Sequence, residues 1–184
     1  MPQSEKKIAV FCGSSAGSDP LIVQGCINLA KELHSCNTAL VYGGGNIGLM
    51  GMLADEMLRL GGEVFGVIPQ KLVDYEVAHS GLTRLHIVPG MHERKALMAK
   101  LSDAFVVMPG GIGTMEEFFE MFTWLQLGYH QKPVAILNIN GFYNQLISFL
   151  KHMVDQGFMK KEHFDDLVIF DHPAGLVNLL LKTS

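Results

Sequence analysis

The feature that most constrains this 184-residue chain is a regular alternation between short apolar runs and longer helical segments. The runs predicted as strands are 7–12, 38–42, 63–68, 83–88, 104–108, 133–137 and 167–170. Helices are predicted between these runs. The first begins at Asp19-Pro20, the second follows Gly48, the third covers 91–102, the fourth ends near Leu127, and the last two cover 142–156 and 173–182. Residues 70–82 are predicted as a loop or short helix. Mostly apolar strands that alternate with helices form parallel sheets covered on both faces. The sequence therefore predicts an α/β fold, one doubly wound, Rossmann-like parallel sheet in a single domain over 1–184, with a flexible tail at 1–6.

Composition and charge exclude several classes of protein. Hydrophobic residues make up 48% and charged residues 17% of the chain, which is typical of a globular protein. The net charge of −4 argues against nucleic acid or an anionic membrane as the main partner. No long apolar segment follows the N-terminus, so neither a signal peptide nor a membrane span is predicted. The cysteines at 12, 26 and 36 are odd in number, which favours reduced thiols and a cytoplasmic location.

Three glycine-rich segments, 13–17, 43–48 and 109–113, follow predicted strands. Ligands of doubly wound sheets bind beyond the carboxyl ends of the strands, so we expect these segments to meet in one crevice. Residues 43–48 match G-x-G-x-x-G, a dinucleotide-binding pattern. However, the match follows the second strand, and the acid that should end the next strand, Glu63, begins it. A mononucleotide site lined by Gly43, Gly44, Gly45 and Asn46 is therefore favoured over NAD or FAD.

Residues 104–117 read as a buried strand, a glycine turn and a helix start. Glycines let a ligand approach bare amides, and the positive end of a helix dipole favours a phosphate there. We predict that the helix carries Glu116 and Glu117 in its first turn, where two acids would repel that phosphate and so suggest catalysis. The structural alternative is a capping box, with Thr114 as N-cap and Glu117 three residues later.

The predicted helix 91–102 places a charged side chain in an apolar row. Met91, Leu97, Met98 and Leu101 share one stripe with Arg94 by helical spacing. A guanidinium in such a row needs an anionic partner, because an unpaired buried charge costs several kcal/mol. That partner is either a structural carboxylate or a substrate phosphate or catalytic carboxylate. Lys95 falls on another face, where simple solvation is the plainer interpretation.

The helix that follows Glu117 is apolar nearly all round up to Leu127. Such a helix is buried on more than one side, which predicts a homodimer with the site near its interface; a deep central helix is the alternative. The eight histidines show no metal-ligand spacing, so no metal site is predicted. A nucleophile elbow G-x-S-x-G and a complete Walker sequence are both absent from the sequence.

Two motifs in sequence order, Met91-His92-Glu93-Arg94-Lys95 and the segment from Pro109 to Glu117, carry a resemblance to a known family. They match M-H-x-R-K and P-G-G-x-G-T-x-x-E, and the chain thereby resembles the LONELY GUY (LOG) family of cytokinin riboside 5′-monophosphate phosphoribohydrolases, long labelled possible lysine decarboxylases. The resemblance implies hydrolysis of the N-glycosidic bond of AMP or an N6-substituted AMP, giving free base and ribose 5-phosphate, without a cofactor.

The resemblance also implies roles for individual residues. Arg94 and Glu117 correspond to the catalytic pair of the family. The implied substrate contacts are Glu76, Lys95, Gly110, Gly111, Ile112, Gly113, Thr114, Met115, Glu116 and Thr123. A carboxylate beneath the ribose can stabilise the positive charge that develops as the bond breaks.

Three other interpretations remain open from the sequence. A non-catalytic mononucleotide-binding module would leave the two acids structural. A decarboxylase would need pyridoxal phosphate on a lysine, for which Lys95 is the candidate. A nicotinamide-dependent oxidoreductase is weakened by the position of Glu63.

Overall fold

In the computed structural model, which describes residue 4, residues 6–73 and residues 77–182, one parallel sheet is built around the first strand. The strands are β1 (Lys6–Phe11), β2 (Thr38–Tyr42), β3 (Val64–Pro69), β4 (Arg84–Val88), β5 (Ala104–Val107), β6 (Val134–Leu137) and β7 (Leu167–Phe170). Their order in the sheet is β4-β3-β2-β1-β5-β6-β7, and every adjacent pair is parallel. This arrangement confirms the predicted parallel α/β fold.

Helices cover both faces of the sheet. They are α1 (Pro20–Ser35), α2 (Gly48–Arg59), α3 (Met91–Leu101), α4 (Ile112–Gln126), α5 (Asn144–Asp155), α6 (Lys161–Asp165) and α7 (Leu176–Lys182), with 3₁₀ turns at 70–72 and 139–141. Apolar residues of α1, α2 and α7 form one core with the sheet, and those of α3, α4 and α5 form the other. The doubly wound architecture therefore follows from strands that are apolar on both faces.

The order of the strands reverses direction at β1. Ile8 pairs with Leu40 of β2 on one side and with Ala104 of β5 on the other. The chain therefore leaves β1 and β5 toward opposite faces of the sheet, which opens a crevice between the loops that follow these strands.

Several local predictions can be compared with the structure. Asp19 is the N-cap of α1, as predicted, and its carboxylate accepts a hydrogen bond from the Leu21 amide at 2.9 Å. The flexible tail does not extend to residue 6, because Lys6 already pairs with Thr38 in the sheet. The amide of Ser4 also donates to the Glu63 carboxylate at 2.7 Å. Helix α6 escaped prediction because it has only five residues.

The three cysteines are free thiols, two of them buried. Within the described ranges, no helix combines the length and apolar character needed to cross a lipid bilayer.

Candidate active site

A cavity of about 260 Å³ opens at the carboxyl edge of the sheet, beside the point where the strand order reverses. It is lined by Cys12, Gly13, Ser14, Met50, Leu72, Met91, Arg94, Gly111, Ile112, Gly113, Thr114 and Glu117. A neighbouring cavity of about 240 Å³ shares Gly13, Ser14 and Gly111 with it and extends toward Phe142. The structure thus brings together the first and third glycine-rich segments, and the second reaches the site indirectly through Gly43.

The N-terminus of α4 forms one wall of the cavity. The helix begins at Ile112 with Gly111 as its N-cap, so the predicted capping box is wrong. Thr114 lies inside the first turn, and Glu117 lies in the second turn, which leaves the first turn without an acid. The chain enters the helix earlier than predicted because glycine is an acceptable N-cap and needs no side-chain oxygen there.

The glycines at the start of α4 differ in how much space a side chain would have at each of them. A Cβ at Gly110 would lie 2.1 Å from Thr114 Oγ1, so close packing of the turn against the helix requires glycine. A Cβ at Gly111 or Gly113 would meet nothing within 4 Å. Open space therefore lies in front of the first amides of α4, where an anion is favoured by the helix dipole.

Glu117 reaches the same cavity from the second turn of α4, with 9% of its surface exposed. The pKa of the neighbouring Cys12 thiol reports the charges around it. Burial raises that pKa most, Cys26 and the Glu117 carboxylate raise it further, and the Arg94 guanidinium lowers it. The carboxylate of Glu117 on α4 and the guanidinium of Arg94 on α3 therefore both lie near Cys12, the residue that follows β1.

Arg94 is 4% exposed and projects from the first turn of α3, so its predicted burial is confirmed. Its Nη2 donates a hydrogen bond to the Gly43 carbonyl oxygen at 3.0 Å. The apolar row around it is less uniform than predicted, since Met91 is exposed while Met98 is fully buried. Arg94 and Glu117 nevertheless line one cavity, as the catalytic interpretation requires.

Lys95 is not solvated, so that interpretation is wrong. Only 6% of the residue is exposed, and its ammonium contacts Glu116 and lies 2.9 Å from Glu120 Oε2. Helix α4 covers the face of α3 that the sequence alone assigned to solvent. Burial by itself would lower the pKa of Lys95, but the bonds to the two carboxylates outweigh it and raise the pKa.

The other predicted contacts that the structure describes do not line this cavity. Gly44 and Gly45 are buried, and Gly45 forms a bridge with Ala78. Asn46 and Thr123 are exposed, and Met115 packs against the core beneath α4. Gly110 lines the neighbouring cavity, and Glu76 lies outside the described residues.

Some lining residues were not singled out by the sequence. Cys12 directly precedes the first glycine segment and Ser14 lies within it, so their position after β1 was a usable signal. Met50 and Leu72 carried none, because apolar side chains in these segments also suit the core. Met91 opens the M-H-x-R-K motif, but it was assigned to the apolar row and not to the cavity. Among the described residues, no group of three or more His, Cys, Asp or Glu side chains could hold a metal ion.

Comparisons with known proteins agree on a family. The family model described as "possible lysine decarboxylase" matches residues 50–180. The cytokinin riboside 5′-monophosphate phosphoribohydrolase LOG1 of Arabidopsis thaliana is 49% identical over 154 residues, which cover 84% of this chain and 72% of that protein. The cytokinin riboside 5′-monophosphate phosphoribohydrolase of Rhodococcoides fascians is 47% identical over 155 residues, 84% of this chain and 78% of that protein.

The chain belongs to the LOG family. The region that the family model matches includes Arg94, the glycine turn before α4 and Glu117. The loop after β1, which completes the cavity, lies before that region.

Solved structures at lower identity share the fold. The molybdenum cofactor binding protein of Rippkaea orientalis is 19% identical with a TM-score of 0.72, and 96% of each chain is covered. The Moco carrier protein of Chlamydomonas reinhardtii is 18% identical with a TM-score of 0.69, covering 97% of this chain and 96% of that one.

Proposed function

We propose that this chain hydrolyses the N-glycosidic bond of adenosine 5′-monophosphate or an N6-substituted derivative, releasing a cytokinin-like free base and ribose 5-phosphate. The observation that carries the proposal is that Arg94 and Glu117 line the cavity in front of the first amides of α4. Relatives at 49% and 47% identity bear the name of this activity.

The first step is recognition of the 5′-phosphate. The amides of Ile112, Gly113 and Thr114 belong to the first turn of α4, whose unpaired donors and positive dipole end suit an anion. A phosphate held there places the attached ribose further into the cavity, next to Glu117. This anchor explains why a nucleoside without phosphate is expected to be a poor substrate.

The second step is cleavage of the bond between ribose and base. As the C1′–N bond breaks, its electron pair leaves with the base and positive charge develops on the sugar ring. The Glu117 carboxylate stabilises that charge and accepts a proton from the water that attacks C1′. The new C1′–O bond completes ribose 5-phosphate. Glu117 releases the proton that it took from the water to solvent, and the leaving nitrogen of the base takes up a proton from solvent, so the reaction sums to the addition of one water. Arg94 lines the same cavity and supplies a positive charge that suits an anionic substrate.

Lysine decarboxylation is not supported by the site, despite the label of the family model. A Schiff-base lysine must be free to lose its proton. The ammonium of Lys95 is held by Glu116 and Glu120, and its pKa is raised. A non-catalytic nucleotide-binding module is the remaining alternative, and it shares the phosphate site but predicts no product.

We further propose that the chain is one nucleotide-binding domain that works in the cytoplasm as a homodimer with the site near the interface. One face of α4 presents Ile112, Phe119 and Leu127 to solvent in this chain, and Ile112 is 86% exposed. Thr123 lies on the same side of the helix between them. A second copy that covered this face would bury it beside the cavity. We expect light scattering of the purified protein to give the mass of two chains.

The deciding experiment is a product assay. The protein is incubated with AMP, N6-substituted AMP, GMP and CMP, and separately with the corresponding nucleosides, and free base and ribose 5-phosphate are quantified. The proposal expects equal amounts of both products from an adenosine monophosphate and a much slower reaction of the nucleosides. Binding of AMP without release of base would favour the non-catalytic module.

A further inference from the structure

Residues 77–79, in the connection between β3 and β4, pair with residues 44–46 of the loop after β2. One antiparallel bridge and two backbone hydrogen bonds of 2.9 and 3.0 Å join the two segments. The loop after β2 begins at Gly43, whose carbonyl oxygen accepts a hydrogen bond from Arg94. The pairing therefore adjoins the residue to which the proposed catalytic guanidinium is bonded.

The same connection supplies part of the wall of the catalytic cavity. Leu72, at the end of the 3₁₀ turn, lines the cavity. The Ala78 amide donates a hydrogen bond to the carbonyl oxygen of Val73 at 2.9 Å, which joins the turn to the paired segment. A movement of residues 77–79 therefore displaces both Leu72 and the loop after β2.

The paired segment contains backbone strain that its own side chains do not balance. Val77 has a φ of +48°, in the left-handed region that a β-branched residue rarely adopts. Its side chain is largely exposed, so packing of that side chain does little to hold the backbone there. Strain of this kind persists only where the surrounding structure imposes the conformation. The constraint therefore comes from the neighbouring residues.

The side chain of His79 provides such a constraint. The residue is buried, its Nδ1 accepts a hydrogen bond from the Gly81 amide at 3.0 Å, and its Nε2 lies 3.0 Å from Asp55 Oδ1. Because Nδ1 is the acceptor, the proton of the neutral ring is on Nε2, which donates to the carboxylate. His79 thus fastens the paired segment to α2, the helix that also carries Met50 into the cavity.

We infer that His79 is a positioning residue: its hydrogen bond to Asp55 holds residues 77–79 against the loop after β2 and so fixes Gly43 and Leu72 around the cavity. Neither His79 nor Asp55 lines the cavity, so the effect reaches the substrate through these two residues and not by direct contact. The inference rests on the proposed function, because the cavity that it maintains is that of the proposed reaction.

The first test examines the link without substrate. Hydrogen exchange of the Asn46 and His79 amides, followed by NMR, reports how often the pairing opens. Asp55→Ala removes the acceptor, and exchange of both amides becomes about tenfold faster. Asp55→Asn keeps an oxygen that accepts from the imidazole, and exchange stays near that of the wild type. Unchanged exchange in Asp55→Ala would overturn the inference.

The second test compares two replacements of the imidazole by steady-state kinetics with AMP. His79→Gln places an amide nitrogen near the position of Nε2 and can still donate to Asp55, whereas the side chain of His79→Asn is too short to do so. In His79→Asn, kcat falls roughly tenfold, because a displacement of about 1 Å near a reacting group is costly. KM changes less than about threefold, since the amides of α4 are untouched, and His79→Gln retains most of the turnover.

Two outcomes of the kinetic comparison would contradict the positioning role. Equal kcat values in His79→Gln and His79→Asn would show that the bond to Asp55 has no part in turnover. A lower melting temperature of His79→Asn with the kcat of the wild type would reveal a purely structural histidine.

A double-mutant cycle completes the design. Adding Asp55→Ala to His79→Asn causes no further loss of kcat, because each change alone breaks the same hydrogen bond, and additive losses would contradict the link. Base release by the wild-type protein, with full kcat in Asp55→Ala, overturns only the His79 inference. Absence of base release by the wild-type protein from every nucleotide overturns the proposed function, and the positioning role with it.

Discussion

The Arg94 guanidinium donates a hydrogen bond to the Gly43 carbonyl oxygen at 3.0 Å, and a Cβ at position 43 would lie 2.1 Å from the same nitrogen. The φ of Gly43 is not positive, so its backbone conformation does not demand glycine. The requirement comes instead from the side chain of Arg94, which passes over this residue to reach the cavity. The loop after β2 therefore contributes to the site by making space for a cation.

The variant Gly43→Ala tests this relationship. The atom that the new methyl group meets is the far end of a flexible side chain, so we expect the fold to survive and Arg94 to move. Turnover of AMP falls roughly tenfold to a hundredfold, because a displacement of about 1 Å at a reacting group can cost that much. Steady-state kinetics measures the loss, and thermal unfolding checks that the protein remains folded.

A double-mutant cycle provides the control for Gly43→Ala. In an Arg94→Ala background the methyl group has no guanidinium to displace, so Gly43→Ala causes little further loss of turnover. Equal losses in both backgrounds would show that the alanine acts on the loop itself and not on Arg94.

Glu117→Gln removes the charge of the proposed catalytic acid and keeps its shape. We expect release of ribose 5-phosphate to fall about 10²–10⁴-fold, the usual contribution of a positioned general base. AMP binding survives, because the amides of α4 are unchanged. The matched control is Glu93→Gln in α3, an exposed carboxylate outside the cavity, which leaves turnover as it was. Wild-type turnover in Glu117→Gln would assign Glu117 a structural role.

The sequence predicted the fold well because strands buried on both faces read as continuous apolar runs, whereas helices between them are longer and have mixed composition. It also predicted the burial of Arg94, because the helical spacing of the apolar residues around it can be read directly from the sequence. The start of α4 was missed because Thr114 and Gly111 are both acceptable caps, and the sequence does not decide between them. Lys95 was misjudged because its face of α3 is covered by α4, and no local pattern reports a neighbouring helix.

The loop before α4 is held from below by a buried hydroxyl. Tyr143 Oη donates to the Met108 carbonyl oxygen at 2.7 Å, and burial raises the pKa of the tyrosine, so the donor stays protonated across ordinary pH. Tyr143→Phe leaves that carbonyl unpaired, and we expect the free energy of unfolding to fall by about 1–3 kcal/mol. Chemical denaturation measures the change, and a higher KM for AMP accompanies it as the glycine turn loosens.

Tyr129→Phe is the matched control for the buried tyrosine. Tyr129 is 76% exposed, so loss of its hydroxyl changes neither stability nor KM. If both substitutions had the same small effect, the hydrogen bond to Met108 would contribute nothing to the position of the turn.

The reactivity of the cysteines tests the electrostatics of the cavity directly. Burial raises the pKa of Cys26 to about 12 and raises that of Cys12 well above its usual value. At pH 8 both thiols are therefore largely neutral and react slowly, because the thiolate is the nucleophile. Mass spectrometry after brief treatment with iodoacetamide should find the label on Cys36, which is half-buried.

The two charges beside Cys12 should shift its reactivity in opposite directions. The Glu117 carboxylate raises its pKa and the Arg94 guanidinium lowers it. Glu117→Gln therefore increases the thiolate fraction and speeds labelling of Cys12, whereas Arg94→Gln slows it. Cys36→Ser removes the competing site and leaves the contrast measurable. Equal labelling rates in the two variants would mean that neither charge reaches the end of β1, and the acid and the guanidinium would then not share the cavity that the proposed reaction needs.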